Sequence, residues 1–447
     1  MNTPDKTRYA VKRGPTYNKL LALLLLLIFA ERIYVLCELG PMYCSGADDI
    51  NYVPSGIFFA DTGILAYDNI PVQSALIMPG MPLVIGFVSL IFGDGVALWA
   101  SLKVLWSLFG TLTALYVYKT VTLSSPKWCG LVTILSFLLP NLAWMNNVIL
   151  TETPYALALT MCIYYTVLMG RSSDRRYFVA YLFSVLFGLL FRSNMLAMFA
   201  FSAAYVLLVR KSARCHEFIR RVLFTCGVLV ILLAPWAVRN YIQFDAFVPM
   251  TYGVGNPLLL GTYQGENFPS DESLDYETNV YAVVREKYAK YFDSAGNVVE
   301  ARHEEYIKEQ TDAIKAKYRI SEWLKSDPLS YIKSILFTKP RFTITWVWYW
   351  TGVMGVDIEP LHLASQINFV LCCVAVALSL VLKKCRREVF LLCLVYWGNM
   401  LVNSFGFMSD RYAAMYMPAR YILMGIGFYL MAESARQLRK RSPVTLK

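Results

Sequence analysis

Ionisable side chains recur beside the ends of the apolar segments of this 447-residue chain. Asp48 and Asp49 follow the first apolar segment, and Glu152 begins the fourth. Charged groups near hydrocarbon are costly, so they are functional candidates by default. The cationic and amide members of the set are Arg32, Lys103, Arg192, Asn194, Arg239, Asn240, Arg411 and Arg420. We predict that a helical bundle brings these carboxylates and cations together at one surface of a membrane.

This combination of groups suits sugar transfer from a lipid-phosphate donor. Arginine and lysine stabilise the phosphate that gains charge as the glycosidic bond breaks. A phosphate leaves without a general acid, but the acceptor still needs a base to take its proton. By analogy with glycosidases, a single displacement inverts the anomeric centre. Asp48 or Asp49 is the predicted base, and the second carboxylate would hold a metal or orient the acceptor.

Each candidate also has a structural interpretation. Asp49 is a good N-cap for a helix, and Glu152 lies in a first helical turn, where acids are favoured. Arg192 and Arg239 can extend from helix ends toward the lipid head groups. For the two carboxylates, the pattern favours capping and catalysis equally. For either arginine alone, it favours the structural role.

The composition indicates an integral membrane protein. The chain is 57% hydrophobic and 16% charged, with a mean hydropathy of +0.46, whereas soluble domains carry roughly 25% charged residues. Its net charge of +11 is spread over short basic clusters between apolar segments. These clusters do not form a single patch with interleaved aromatic residues, so we predict no nucleic-acid partner.

Ten apolar segments are candidates to cross a bilayer, which takes about 20 residues each. They cover 20–38, 96–118, 128–146, 148–169, 177–192, 193–209, 222–238, 363–382, 389–407 and 413–433. The short basic clusters lie within 6–19, 119–127, 171–176, 210–221, 383–387 and 436–441. Counted from a cytoplasmic start, all of them fall on one side. The positive-inside rule therefore places both termini in the cytoplasm.

Two longer segments without a spanning pattern lie outside. Residues 39–95 predict two helices in the membrane interface, and residues 278–325 predict charged helices within a larger outer segment. We predict an N-terminal membrane module over 1–240, an extracytoplasmic helical region over 241–360, and C-terminal membrane helices with a basic tail over 361–447. Cys37 and Cys44 lie close enough in sequence to form a disulfide, and two free thiols fit equally well.

Short motifs along nearly the whole chain resemble those of the GT-C superfamily of polytopic glycosyltransferases. Within it, the bacterial relatives of protein O-mannosyltransferases and of the lipid A aminoarabinose transferase are the most similar. The motifs are Ala47–Tyr52, Pro79–Leu83 with Phe92-Gly93, Lys103, Leu150–Thr153, Phe191–Asn194, Pro235–Tyr241, Gly255-Asn256, Gly261, and Arg411-Tyr412 with Pro418. Each is weak alone, but their order, spacing and membrane side together are fairly specific.

The resemblance implies an all-α membrane bundle of about ten helices and an inverting glycosyltransferase. It would move a hexosyl or pentosyl group from a polyprenyl-phosphate donor to a glycolipid, polysaccharide or protein acceptor. The enzyme would lie among membrane lipids, in the inner (plasma) membrane of a bacterium, with its active site outside the cytoplasm. A multi-pass transporter or flippase for lipid-linked saccharides is the alternative. That class usually has ionisable groups at the midplane and repeated halves, which this sequence lacks.

The resemblance also implies roles for single residues. Asp48 would be the base, although Asp49 stands where glutamate is commoner, so either aspartate remains a candidate. Glu152 and Asn240 would orient the acceptor or hold a metal, since some members of the superfamily bind a divalent cation. The implied donor ligands are Lys103, Arg192, Arg239 and Arg411. The three histidines are scattered and give no metal-binding spacing.

Overall fold

The computed structural model describes residues 15–67, 71–209 and 215–441, and these residues are predominantly helical. Within those ranges no β-strand forms, and only isolated bridges occur, among them one between Phe292 and Val298. The prediction of an all-α chain is confirmed. The basic clusters at 6–13 and 210–214 lie outside the described residues.

Twenty α-helices are described, several of them joined by 3₁₀ or π turns. They are α1 (Pro15–Leu39), α2 (Asp49–Thr62), α3 (Gly80–Phe92), α4 (Val96–Ser124), α5 (Lys127–Ile134), α6 (Pro140–Met145), α7 (Glu152–Arg171), α8 (Arg175–Phe191), α9 (Leu196–Val209), α10 (Cys215–Phe244), α11 (Gly255–Gly261), α12 (Ala282–Lys287), α13 (Ala301–Ser326), α14 (Pro328–Lys333), α15 (Lys339–Thr345), α16 (Ile358–Leu382), α17 (Arg386–Cys393), α18 (Asn399–Ser404), α19 (Asp410–Ala414) and α20 (Met417–Arg441).

Five helices of the described chain are long and apolar enough to cross a membrane. These spans are Thr16–Leu39, Val96–Ser124, Glu152–Arg171, Leu223–Phe244 and Ile358–Leu382. Helical segments cover the other five predicted spans as well, but those segments are shorter, more polar or interrupted. The chain is therefore a multi-pass membrane protein, and the count of ten spans stays a prediction.

Proline explains the interruption of the third predicted span. Its helix ends at Ile134, a 3₁₀ turn covers Leu135–Leu138, and Leu139 is extended at φ −75° and ψ 129° before Pro140. Proline lacks an amide hydrogen and disfavours helical geometry in the residue before it. The break is tolerated because it lies inside the bundle, where neighbouring side chains replace the lost backbone hydrogen bonds. Among them is Arg32 of α1, which donates to the Phe137 carbonyl at 3.2 Å.

The membrane bundle has one continuous apolar core. Helix α4 packs between α1 and α7, and α20 packs against α4, α5 and α16. Trp106 and Trp144 are fully buried in this core. The aromatic segment before α16 packs onto this core, and the Trp144 and Trp348 rings meet edge to face at 4.9 Å.

The two segments that were predicted to lie outside the cytoplasm also contain helices. Helices α2 and α3 form a close pair, since a Cβ on Gly86 would lie 2.9 Å from the Gly56 carbonyl oxygen. Their position at the membrane interface stays a prediction. Aromatic rings form a second core, which includes Tyr252, Tyr291 and, on helix α13, Tyr306. Cys37 and Cys44 are both free thiols in the structure.

Candidate active site

Four charged side chains from four separate parts of the chain form one connected set of ion pairs, here called the site cluster. Arg411 bridges two carboxylates, with Nη2 at 2.8 Å from Asp48 Oδ2 and Nε at 2.6 Å from Glu152 Oε1. Arg192 Nη2 lies 2.8 Å from the same Glu152 oxygen. The predicted convergence of these four residues is therefore present.

The local backbone explains how each member reaches the cluster. Asp48 lies immediately before α2, and Glu152 is the first residue of α7. Arg192 follows α8 in an extended conformation, with φ −149° and ψ 130°. Arg411 lies in α19, a short helix that precedes α20. Because all four residues lie at helix ends, a bundle of rigid helices can bring them to one level.

The solvent exposure of the side chains increases from the centre of the site cluster to its edge. Glu152 is fully buried, whereas the Asp48 side chain is 39% exposed and the Arg192 side chain 18%. A buried carboxylate needs close cationic partners, and Glu152 has two. Burial lowers the pKa of Arg411, but Glu152 and Asp48 outweigh it and hold that pKa well above its ordinary value. Arg411 therefore remains charged at any physiological pH.

A cavity of about 530 Å³ opens beside the cluster, and Asp48 and Arg192 both line it. We call it the site cavity. Tyr412 lies over the Arg192 guanidinium at 5.3 Å, and Tyr67 donates a hydrogen bond to Asp48 Oδ1 at 3.1 Å. The other polar groups in its wall are Tyr52, Thr151, Ser193, Asn194, Thr251, Asn256, Glu309 and Asn403. The cavity thus combines an accessible carboxylate, a cation and neutral hydrogen-bonding groups.

Asp49 and Lys103 do not line this cavity. The buried Asp49 carboxylate accepts hydrogen bonds from the Ser45 amide at 2.7 Å and the Ser45 hydroxyl at 3.0 Å. Lys103, also buried, donates to the Gly40 and Tyr43 carbonyls at 3.1 and 2.8 Å. These contacts hold the turn between α1 and Asp48. The catalytic role of Asp49 and the donor-binding role of Lys103 stay predictions.

Arg239 and Asn240 also lie away from the site cavity. The Arg239 guanidinium donates to the Ser74 and Leu65 carbonyls at 2.8 and 3.3 Å and to the Gln73 side chain. Asn240 is fully buried and donates to the Val248 carbonyl at 2.9 Å. Arg239 therefore fixes the segment that contains Tyr67, and its role as a phosphate ligand stays a prediction.

Comparison with known proteins adds evidence at the level of the fold. No protein-family model and no curated protein matches this sequence. The oligosaccharyltransferase AglB of Archaeoglobus fulgidus, in complex with an inhibitory peptide and a dolichol-phosphate, matches with a TM-score of 0.55 at 13% identity. The match covers 97% of this chain and 52% of AglB. The apo form of the Archaeoglobus fulgidus oligosaccharyltransferase gives 0.56 at 12% identity, over 95% and 51% of the two chains.

The chain has a GT-C fold. It spans about half the length of the oligosaccharyltransferase chains that it matches. ArnT of Cupriavidus metallidurans, bound to undecaprenyl phosphate, gives a TM-score of 0.42 at 13% identity, over 97% of this chain and 82% of ArnT.

Several residues of the cavity wall were not predicted from the sequence, and three of them carry polar groups at the site. Tyr67 follows α2 in an irregular segment, Asn403 lies near the end of α18, and Glu309 lies in the charged helix α13. Burial raises the pKa of Glu309, although the Asn256 and Gly255 amides lower it. No local pattern marks Glu309, because α13 contains many acidic and basic residues. Glu309 reaches the cavity wall because α13 packs over α11.

The GT-C fold raises the question of a divalent cation. Among the residues that the structure describes, no group of three or more His, Cys, Asp or Glu side chains comes together to hold a metal. Both oxygens of Asp48 already have partners, Tyr67 and Arg411. The described residues of the site therefore present no metal-binding group, and no step below uses one.

Proposed function

We propose that this protein is an inverting glycosyltransferase that moves a sugar from a polyprenyl-phosphate donor to an acceptor outside the cytoplasm. The observation that carries the proposal is the site cluster, in which an accessible Asp48 carboxylate pairs with Arg411, and Asp48 and Arg192 both line one cavity. A base and a phosphate-binding pair are the two components that this reaction requires.

The donor phosphate would bind at the Arg192 side of the site cavity. Guanidinium groups bind phosphate oxygens in a fork geometry and remain charged when partly buried. Arg192 is accessible from the cavity, and Arg411 is the next cation behind it. The structure of AglB with a dolichol-phosphate supports a lipid-phosphate ligand for this fold. The polyprenyl chain would remain in the bilayer.

Asp48 would act as the general base. The acceptor hydroxyl oxygen attacks the anomeric carbon and transfers its proton to the Asp48 carboxylate. The bond between the anomeric carbon and the phosphate oxygen breaks, and its electron pair stays on the polyprenyl phosphate. Arg192 and Arg411 stabilise this added charge. Because a single displacement occurs, the anomeric configuration inverts.

Glu152 is proposed as a positioning residue, since it is fully buried and holds both guanidiniums by ion pairs. Asp49, Lys103, Arg239 and Asn240 are proposed to act through the loops that they hold. Asp49 and Lys103 fix the turn before Asp48. Arg239 fixes the segment whose Tyr67 bonds the base. None of these four has to touch the donor to affect its transfer.

The acceptor is proposed to enter from the side of the outer helical region, since Glu309 and Asn256 from that region line the site cavity. A hydroxyl group of a glycolipid, a polysaccharide or a protein would satisfy the chemistry. The positive-inside distribution supports cytoplasmic termini and an outer active site. Location in a bacterial inner membrane remains part of the proposal.

A donor panel tests the proposal. The purified protein in lipid would be given radiolabelled sugars on polyprenyl phosphate, and transfer or slow hydrolysis would be measured for wild type, Asp48→Asn and Asp49→Asn. Turnover by wild type that is lost in Asp48→Asn confirms the reaction class and the base. Equal release in all three proteins would overturn it. Movement of intact donor across sealed vesicles without hydrolysis would instead support a transporter.

A further inference from the structure

The connection between α18 and α19 covers residues 405–409 and is here called the α18–α19 loop. Its residues belong to neither a helix nor a strand. Phe405, Gly406 and Phe407 of this loop line the site cavity. Arg411 of the site cluster follows two residues after the loop ends. The conformation of the loop therefore affects both the cavity wall and the cation that pairs with Asp48.

The backbone of the α18–α19 loop finds hydrogen-bond partners in the region between α10 and α16. Buried backbone groups need such partners, so the partners help to fix the loop conformation. The Phe407 amide donates to the Pro257 carbonyl of α11 at 2.7 Å. The Gln264 side chain bonds both backbone groups of Met408. Its Oε1 accepts from the Met408 amide and its Nε2 donates to the Met408 carbonyl, each at 2.8 Å.

Close packing adds to these hydrogen bonds. Gly261, the last residue of α11, lies against Gly406, and a Cβ at Gly261 would come within 2.4 Å of the Gly406 carbonyl carbon. A side chain at position 261 would therefore push the loop away. Lys339 of α15 is buried and donates to the Ser404 carbonyl at 2.8 Å, directly before the loop. The loop is thus held at its start, in its middle and near its end.

Gln264 is suited to hold the end of the loop that lies nearest to Arg411. Its own carbonyl accepts a hydrogen bond from the Ser334 hydroxyl, which ties its backbone to the turn before α15. A primary amide both donates and accepts, so one glutamine can satisfy the amide and the carbonyl of the same residue. Asparagine has the same group on a side chain that is one methylene shorter. The paired bonds to Met408 therefore depend on the length of glutamine as well as on its amide.

We propose that Gln264 is a positioning residue for Arg411. Gln264 fixes Met408, and α19 begins two residues later, after the extended Ser409. Helix α19 has only five residues, so the backbone before it strongly influences where its first turn lies. A shift of Met408 would move the Arg411 guanidinium relative to its two carboxylates. Gln264 does not line the site cavity, so it acts through Arg411, and its effect on turnover rests on the proposed function.

Hydrogen exchange tests the structural part of the proposal without any turnover. The full chain in lipid nanodiscs would be compared with Gln264→Met, which keeps the side-chain length but loses both bonds to Met408. Exchange of the amides in 407–412 should become faster by about fivefold, the factor for one lost hydrogen bond. Gln310→Met is the matched control, because Gln310 lies in the same region and accepts from the Tyr288 hydroxyl at 2.8 Å. It should leave exchange in 407–412 unchanged. Unchanged exchange in Gln264→Met would overturn the proposal.

Kinetics test the link to Arg411, with a polyprenyl-phosphate sugar that the wild type turns over. After correction for the folded fraction, Gln264→Met should lower kcat about tenfold, because Arg411 pairs with the proposed base and small displacements are costly. The donor KM should stay within about twofold, since Arg192 keeps its place beside the cavity. In an Arg411→Lys background, Gln264→Met should lower kcat by less than about twofold. A wild-type kcat in Gln264→Met, or a tenfold loss in both backgrounds, would overturn the proposal. No turnover of any donor by the wild type would overturn the proposed function instead, and the exchange experiment would still decide whether Gln264 holds the loop.

Discussion

Arg411 and Lys103 are both cations with little solvent exposure, yet they belong to two different kinds of region. Arg411 is shared by two carboxylates at the edge of a cavity. Lys103 donates to the Gly40 and Tyr43 carbonyls inside a packed turn. Two cations that were both predicted to bind the donor therefore belong to a candidate site in one place and to a loop anchor in the other.

The chemical nature of the partner distinguishes the two regions. Backbone carbonyls belong to the fold, so a cation that satisfies them stabilises a loop conformation. Carboxylates are titratable side chains that carry their own charge, and two of them around one arginine make a polarised, partly accessible cluster. Arg239 belongs with the loop anchors, because its partners are two carbonyls and the side-chain amides of Gln73 and Asn240. Substitutions in each region should therefore separate turnover from stability.

The largest difference should come from the two adjacent aspartates. We expect Asp48→Asn to lower kcat by about 10²–10⁴-fold, because the general base is lost. Asp49→Asn removes an acceptor of the Ser45 hydrogen bonds and should mainly lower the melting temperature. Transfer assays and thermal unfolding in the same detergent check both. A greater loss of kcat in Asp49→Asn would assign the base to Asp49, and Asp49 could then no longer be regarded as a residue that only holds the turn.

Glu152→Gln should affect both stability and turnover. The change leaves Arg192 and Arg411 without their shared buried carboxylate, and breaking a buried ion pair costs about 3–5 kcal/mol. Unfolding by denaturant should report that loss. The surface pair of Lys384 and Glu433 is the matched control, since Glu433→Gln should change stability by about 0–1 kcal/mol. Similar losses in both variants would argue against a structural centre at Glu152.

Arg192→Lys and Arg239→Lys compare a predicted phosphate ligand with a loop anchor. A lysine keeps the charge but loses the fork, so Arg192→Lys should raise the donor KM by about tenfold. Arg239→Lys should raise it by less than about twofold, with a lower melting temperature. Steady-state kinetics with one polyprenyl-phosphate sugar check this. A larger effect of Arg239→Lys on the donor KM would instead support the prediction that Arg239 binds the donor phosphate.

Lys103→Met should give the smallest effect on turnover. It leaves two buried carbonyls without their donor, which costs about 1–3 kcal/mol of stability. Once corrected for the folded fraction, kcat and the donor KM should stay within about twofold of wild type. A large rise in donor KM at unchanged stability would contradict the role of Lys103 as a loop anchor and support donor binding.

Periodicity and composition predicted much of the fold because a membrane imposes simple rules. Backbone groups in hydrocarbon must be paired internally, so long apolar segments form helices. Two helices were expected within 39–95, and α2 and α3 occur there. The interruption of the third predicted span was missed, although Pro140 marks it. Apolar length alone does not report where the backbone leaves helical geometry.

The sequence by itself determined that the chain is helical, crosses a membrane, and carries ionisable groups at helix ends. It also singled out Asp48, Glu152, Arg192 and Arg411. Tertiary structure alone decided that these four converge while Asp49, Lys103, Arg239 and Asn240 turn toward the backbone of nearby loops. The physical reason is that burial makes most polar groups find a partner inside the protein. Which partner is within reach depends on how the helices pack, and no local pattern records that.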